Sequence, residues 1–363
     1  MNAGLEGVVA AETVLSQVNG IEGRLIVRGH EIEELAGHWS FEAMAAFLWD
    51  GFAPQSMDEG QVAAALERSR NSAFGKVPDL LRATEGSTVV DGLRTGLSLL
   101  AEGPGSHIDV TAAIPVFVAA LLRRDQGEPP IAPTPGLRHA ADFLAMLKGE
   151  PASELLVDAL ETYLLTVADH GMNASTFTAR VVAATRAGTV ASTVAALGAL
   201  SGPLHGGAPG PVLDMLDEIG DESQVDDWIA RHLGDGERLM GFGHRIYRTR
   251  DPRADVLKGV VERIVNTRDR MALAEAVEKA SIAALAARYP DRNLDTNVEL
   301  FTAVLLEGVG LSRDLFTPVF AMGRVLGWTA HIFEQVASSR LIRPASSYVG
   351  PLPEGAPQLA VAG

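Results

Sequence analysis

The sequence predicts a mainly α-helical chain built as two helical domains, and three observations carry that expectation. Apolar residues recur at helical spacing in one segment after another. Period-two alternation is scarce. The strong turn formers gather in a few places instead of being spread evenly. The length of 363 residues suggests two domains, and 47% apolar against 21% charged residues supplies a large packed core. In the segment 155–167 the apolar residues Leu155, Leu156, Ala159, Leu160, Tyr163, Leu164 and Val167 share one helical face, with Glu154, Asp158 and Glu161 on the other. Segment 181–200 is rich in Ala, Gly, Ser and Thr, which predicts one buried helix that neighbours can approach closely. Similar patterns at 41–49, 142–147, 271–287 and 316–335 predict further helices, and 23–29 reads as a short strand pair. Punctuation falls at 127–136 (GEPPIAPTPG), at 202–211 (GPLHGGAPGP) and at 241–252, and the residues after Ala345 read as an extended tail.

The formal charge of −16 excludes a general affinity for nucleic acid or an anionic membrane surface, because a broad acidic field repels phosphates. An anionic ligand must then be held by a local cluster of Arg and His. The absence of cysteine removes disulfides, thiolate zinc sites and a cysteine nucleophile, and fits a reducing compartment. The opening MNAGLEGVVAAET has neither a basic nor an apolar leader region, and no uncharged apolar run reaches the ~18 residues of a membrane span, so the expected location is cytoplasmic. Asn173-Ala174-Ser175 matches a glycosylation acceptor and reads as a chance match without a secretion signal.

Two histidines stand in glycine-flanked loops, Gly-Pro-Leu-His205-Gly-Gly and Gly-Phe-Gly-His244, where small neighbours let a ligand reach the imidazole. A third, His170, follows Asp169 at the end of the 155–167 helix. A lone histidine is more often an ordinary hydrogen-bonder, but two in glycine-bracketed turns favour a site. A metal site is the rival use; without cysteine, HExxH or a close histidine pair, no metal is expected. Arg324 lies in an otherwise apolar helix (AMGRVLGW), where burying a guanidinium is unfavourable unless an anion meets it.

Four ordered blocks make the reading specific: Asp169-His170-Gly-Met-Asn-Ala-Ser-Thr-Phe-Thr-Ala-Arg180, Gly202-Pro-Leu-His205-Gly-Gly-Ala, the run from Gly241 through His244, Arg248 and Arg253 to Ala254, and Arg340-Leu-Ile-Arg343-Pro. In type and order they resemble the signature blocks of the citrate synthase family, and the similarity extends over nearly the whole chain.

The resemblance implies a two-domain helical fold with its active site in the cleft, residues 1–211 and 316–363 forming the large domain and 212–315 the small one. It implies condensation of acetyl-CoA with oxaloacetate in a homodimer. By resemblance His205 binds the thioester carbonyl, His244 polarises the ketone, and Glu299 is the carboxylate base. Likewise His170, His244, Arg253, Arg324 and, across subunits, Arg343 hold oxaloacetate, while Leu239, Met240, Gly241, Phe242, Gly243 and Arg248 bind CoA. No tightly held cofactor is implied, acetyl-CoA being a substrate. Two departures stand out: Asn297-Val298-Glu299-Leu300 where the family usually has an aspartate base, and Thr88-Val89-Val90-Asp91 where many relatives read His-Pro-Met-Asp. Two alternatives stay open, a 2-methylcitrate synthase using propionyl-CoA and a catalytically weak acyl-CoA or oxaloacetate binder. A carbon acid as weak as an acetyl methyl loses its proton to a carboxylate only if the enolate oxygen meets a donor at the same moment, which explains the pairing of Glu299 with His205.

Overall fold

The computed structural model describes residues 4–5, 7–206, 209–244, 246–264, 267–351 and 353, and its architecture is mainly helical. The chain opens on a small antiparallel sheet of order β1-β2-β3, with β1 at Ser16–Asn19, β2 at Arg24–Val27 and β3 at His30–Glu31. This sheet extends the expected strand pair at both ends. It also anchors the later site: the backbone N–H of Gly171 donates to Ser16 Oγ at 2.9 Å, and that of Arg248 donates to the carbonyl of Gly20 at 2.7 Å.

Sixteen α-helices follow among the described residues. The first ten are α1 (Ile32–Leu35), α2 (Phe41–Trp49), α3 (Glu59–Phe74), α4 (Val77–Ala83), α5 (Val89–Leu97), α6 (Ser106–Asp125), α7 (His139–Lys148), α8 (Glu154–Thr166), α9 (Ala174–Ala183) and α10 (Thr189–Leu200). The remaining six are α11 (Pro209–Ile219), α12 (Val225–Gly234), α13 (Pro252–Val261), α14 (Arg268–Arg288), α15 (Val298–Val309) and α16 (Phe316–Ser338). Local signals set their ends. Ser40 caps α2, Thr88 caps α5, and Asp58 with Gln61 forms a reciprocal capping box at α3.

The 23-residue α16 is the axis on which the site is built; it is mostly apolar, buried over most of its length, and packs against α2, α5, α6, α8, α9 and α10. Two glycines let the end of α8 lie directly on it. A Cβ added at Gly323 would come within 2.6 Å of the Leu164 carbonyl oxygen, and one at Gly327 within 2.3 Å of that of Ala168. The helices of 212–315 pack on one another, α13 and α11 on α15 and α12 on α14, and α13 and α15 also pack on α8. One continuous apolar cluster runs through both parts.

Two expectations are corrected. Segment 181–200 is two helices, because Arg186 at φ 61° and Gly188 at φ 100° break the chain between α9 and α10; Arg186 is exposed there, not buried. Glu161 does not lie on the solvent face of α8: it is 4% exposed, accepting the Phe41 N–H at 3.1 Å and a bond from Arg138 at 2.7 Å. Asn173, whose match to a glycosylation acceptor reads as chance, caps α9 through the Thr176 N–H at 3.1 Å. Helix α6 is long and apolar enough to cross a bilayer, yet it is a buried core helix here. Residues 346–351 carry no helix or strand; most of the rest of the expected tail, with residues 207 and 208 of the glycine-rich boundary, lies outside the described residues.

Candidate active site

Four short junctions bring the predicted residues together. His170 follows α8 and precedes α9, so the tie from Gly171 to Ser16 and the pressing of Ala168 onto Gly327 fix its backbone. His205 lies in the turn after α10. Gly206 is required there, since a Cβ would fall 2.5 Å from the Leu200 carbonyl oxygen that its own N–H engages at 2.9 Å.

His244 and Glu299 share one support. Phe242 and Thr296 form an antiparallel bridge, the Gly243 N–H donates to Asp295 O at 2.8 Å, the Asn297 N–H donates to Gly241 O at 3.0 Å, and Asn297 Nδ2 donates to Gly243 O at 2.9 Å. Gly241 (φ 85°) and Gly243 (φ 76°) allow the loop to turn back along that ladder. Asn297 also caps α15 by accepting the Glu299 N–H at 2.9 Å, which sets Glu299 in the first turn of the helix.

The ring nitrogens are assigned by their partners, because a backbone N–H can only donate. Those of Ile246 and Tyr247 donate to His244 Nδ1 at 3.0 and 3.1 Å, which leaves the proton on Nε2. The Ser175 N–H donates to His205 Nε2 at 3.3 Å, with Ser175 Oγ 2.8 Å from the same atom, leaving the proton on Nδ1. Trp328 Nε1 in turn donates to Ser175 Oγ at 3.1 Å. Burial lowers the pKa of His205 to about 4, helped by the Arg324 charge; burial with Arg253 does the same for His244, against a raising effect from Asp251. His170 is held well below its ordinary value by burial and then by Arg253, Arg324 and His244. All three imidazoles are therefore neutral near pH 7.

Arg253 opens α13 and is clamped by its own cap, Nε to Asp251 Oδ1 at 3.0 Å and Nη2 to Oδ2 at 2.7 Å. Arg324 is 1% exposed; its Nε donates to the Val167 carbonyl at 2.5 Å, its guanidinium lies 4.8 Å from the Phe320 ring centre, and its buried Nη1 has no hydrogen-bond partner. Burial lowers its pKa to about 10 while Asp169 opposes, so it stays charged. A buried donor without a partner is costly, so Arg324 Nη1 has the chemistry to meet an anionic group, as the sequence reading expects. Glu299 is partly buried and its carboxylate accepts no hydrogen bond among the described residues; burial, with Asp251, pushes its pKa up to about 7 against Arg253 and Arg324.

His170, His205, His244, Arg253, Arg324 and Glu299 therefore form one electrostatic cluster. The rings of His170 and His244 lie 5.6 Å apart. Arg343 is exposed in the coil after α16, outside this cluster. In the segment from Leu239 to Gly243, Leu239, Gly241 and Phe242 are buried and three backbone groups serve the ladder, while Arg248 is exposed at the rim. Sequence reading missed Asp251, Ser175 and Tyr247, whose hydroxyl lies 3.2 Å from His170 Nε2. Tyr163 was read only as a core residue; burial raises its pKa, and the Glu299 charge raises it further. Of these only Asp251 left a trace, the Asp-Pro pair that opens a helix.

A mainly helical frame with neutral imidazole donors, buried guanidiniums and one carboxyl poised near neutrality defines an enzyme that generates a carbanion-like nucleophile beside a bound polycarboxylate. The family profile described as citrate synthase, C-terminal domain, matches residues 4–345. The chain is 36% identical to the citrate synthase of Acidithiobacillus ferridurans, over 96% of this chain and 95% of that one. It is equally 36% identical to a 2-methylcitrate synthase of Mycobacterium tuberculosis, over 96% and 90%. Among solved structures, the ternary complex of carboxymethyl coenzyme A and oxaloacetate with citrate synthase from Thermoplasma acidophilum matches with a TM-score of 0.86 at 27% identity, covering 98% of both chains. The chain belongs to the citrate synthase family.

Proposed function

We propose that this chain condenses acetyl-CoA with oxaloacetate and hydrolyses the citryl thioester, releasing citrate and free CoA. The observation that supports the reading is that two neutral imidazoles with fixed tautomers and a carboxyl group whose pKa is pushed to about 7 share the charges of Arg253 and Arg324. The Glu299 carboxylate takes a proton from the acetyl methyl while His205 Nδ1–H donates to the thioester oxygen as it gains enolate charge. A neutral donor suits this step, because a donor that is not already acidic stabilises the oxyanion without trapping it. The new carbon nucleophile attacks the ketone carbon, whose oxygen receives the proton of His244 Nε2. Arg253, Arg324 and His170, with Arg343 of the partner subunit, hold the two carboxylates by charge-assisted bonds. Water then cleaves the thioester.

Arg248 and the loop 239–243 bind the CoA portion in this reading, and the 212–315 helices close over the cleft so that water is absent during enolisation and admitted for hydrolysis. The enzyme acts as a cytoplasmic homodimer, a location supported by the acidic, cysteine-free composition. A second reading has a specific warrant: the equal identity to a 2-methylcitrate synthase fits propionyl-CoA as the acyl donor. One methylene in an apolar pocket discriminates by only ~10- to 200-fold, so both acyl groups are expected to turn over at different kcat/KM. Release of free CoA from acetyl-CoA and from propionyl-CoA, each with oxaloacetate, tests both readings. Oxaloacetate binding without CoA release from either donor would leave only a binding protein.

A further inference from the structure

Beyond the reacting groups, a buried polar assembly continues from Arg324 along one face of α16. On this face Arg324, Gly327, His331 and Gln335 succeed one another at spacings of three or four, a single ridge along the helix. Asp169, which is fully buried, rests on that ridge: a Cβ at Gly327 would meet its Oδ1 at 2.9 Å, and both its carboxylate oxygens lie 3.2 Å from His331 Nε2. One turn earlier on the same ridge, Arg324 Nε binds the carbonyl of Val167, two residues before Asp169. The charges of Asp169 and Arg324 stabilise each other.

The proton on His331 is fixed by its other neighbour. Arg180 Nη1 lies 2.9 Å from His331 Nδ1 and can only donate, so Nδ1 accepts and Nε2–H points at Asp169. Arg180 also donates to Glu334 and, through Nε at 2.9 Å, to Gln335 Oε1. The outer end of the assembly grips both ends of the chain. Glu334 Oε1 accepts the Val14 N–H at 3.0 Å and the Thr13 hydroxyl at 3.2 Å, while Gln335 Nε2 donates to the Arg340 carbonyl at 3.0 Å, three residues before Arg343.

We propose that His331 and Arg180 are positioning residues for the dicarboxylate site: through Asp169 they hold the counter-charge of Arg324 in place, and through Glu334 and Gln335 they tie it to the segments entering at Thr13 and leaving at Arg340. The inner links, from Asp169 through His331 to Arg180 and Gln335, join buried groups, so a displacement at one of them is carried along a packed ridge; only the outermost contacts, at Val14 and Arg340, reach exposed chain. The inference rests on the assignment of oxaloacetate to Arg324. Its consequence is selective, because the network touches the keto-diacid side of the site and none of the residues assigned to CoA.

The test is steady-state kinetics of CoA release with His331→Leu, His331→Gln and Asp169→Asn in the full chain. His331→Leu and Asp169→Asn are expected to raise KM for oxaloacetate at least tenfold, with KM for the acyl-CoA moving less than twofold. His331→Gln keeps a donor towards Asp169 and is expected to restore KM for oxaloacetate to within threefold of wild type. Equal changes in both KM values, or a fall in kcat alone, would overturn the inference and leave a merely structural network. If His331→Leu yields no folded protein, the isosteric Asp169→Asn decides by the same ratio. Wild type without CoA release would instead overturn the proposed function.

Discussion

Two glutamates, the buried Glu161 and the partly buried Glu299, have their pKa values raised from 4.5 to about 7, in both cases chiefly by removal of the carboxyl from water. Their surroundings differ. Glu161 spends one oxygen on the Phe41 N–H and the other on Arg138, so its carboxylate is saturated and ties α2 and α7 to α8. Glu299 has only its backbone N–H engaged, by its own helix cap, while its carboxylate stands beside Arg253 and Arg324 without a hydrogen bond among the described residues. A raised pKa alone thus does not mark a catalytic carboxyl. What marks it is unspent hydrogen-bonding capacity in one electrostatic cluster with a donor that is also unspent, Arg324 Nη1.

The contrast breaks if the two residues respond alike to removal of charge. Glu299→Gln is expected to lower kcat about a thousandfold, the range for loss of a positioned general base, while oxaloacetate still binds. Glu161→Gln is expected to leave kcat within about twofold. Rates of CoA release at saturating substrates check both; a comparable fall in the two variants would mean that Glu161 is not merely structural or that Glu299 is not the base. Ionised Glu299 is the active form, so log kcat for wild type should rise with pH below about 7 and level off above it.

A stability measurement sharpens the same contrast from the opposite side, because here the two residues should agree. Each binds its proton more tightly in the folded than in the unfolded chain, so its contribution is present in full below pH ~4.5 and is lost as pH rises through about 7. A displacement of that size corresponds to roughly 3 kcal/mol per carboxyl at most. Urea unfolding at intervals between pH 5 and 7.5 should show each Gln variant gaining stability relative to wild type as pH rises. A difference that stays constant with pH would remove the raised pKa from that residue.

The helices with clear apolar faces were legible in the sequence: α2, α8, α14 and α16 lie within three residues of their expected limits, since each presents a regular stripe to the core. The break between α9 and α10 was not. Residues 184–188 carry the same small-residue composition as the helices they separate, and only the positive φ at Arg186 and Gly188 marks the turn. Helix α6 was also passed over, being interrupted in sequence by Pro115 and continued by packing. The site residues themselves were readable from their blocks. Their supporting partners were not, because the bonds from Val167 to Arg324, from His170 to Tyr247 and from Ser175 to His205 span 157, 77 and 30 positions and exist only once α16 is packed.

A smaller effect than that of Glu299→Gln is expected from Glu299→Asp, which probes the arm length of the base. The variant shortens the side chain to the aspartate that the family resemblance implies, but the frame around it stays as this chain built it: the Asn297 cap and the ladder from Gly241 to Asn297 set the start of α15 for the longer arm. Withdrawing the carboxylate by ~1 Å from the acyl methyl should cost up to about a hundredfold in kcat. The shorter arm also draws the carboxyl towards the N-terminus of α15, which favours the ionised form, so the rise of kcat with pH should move below 7. Slow turnover with a shifted profile would show that frame and arm length are matched in this protein. A variant as fast as wild type would show that the substrate, not the helix start, fixes where the proton is taken.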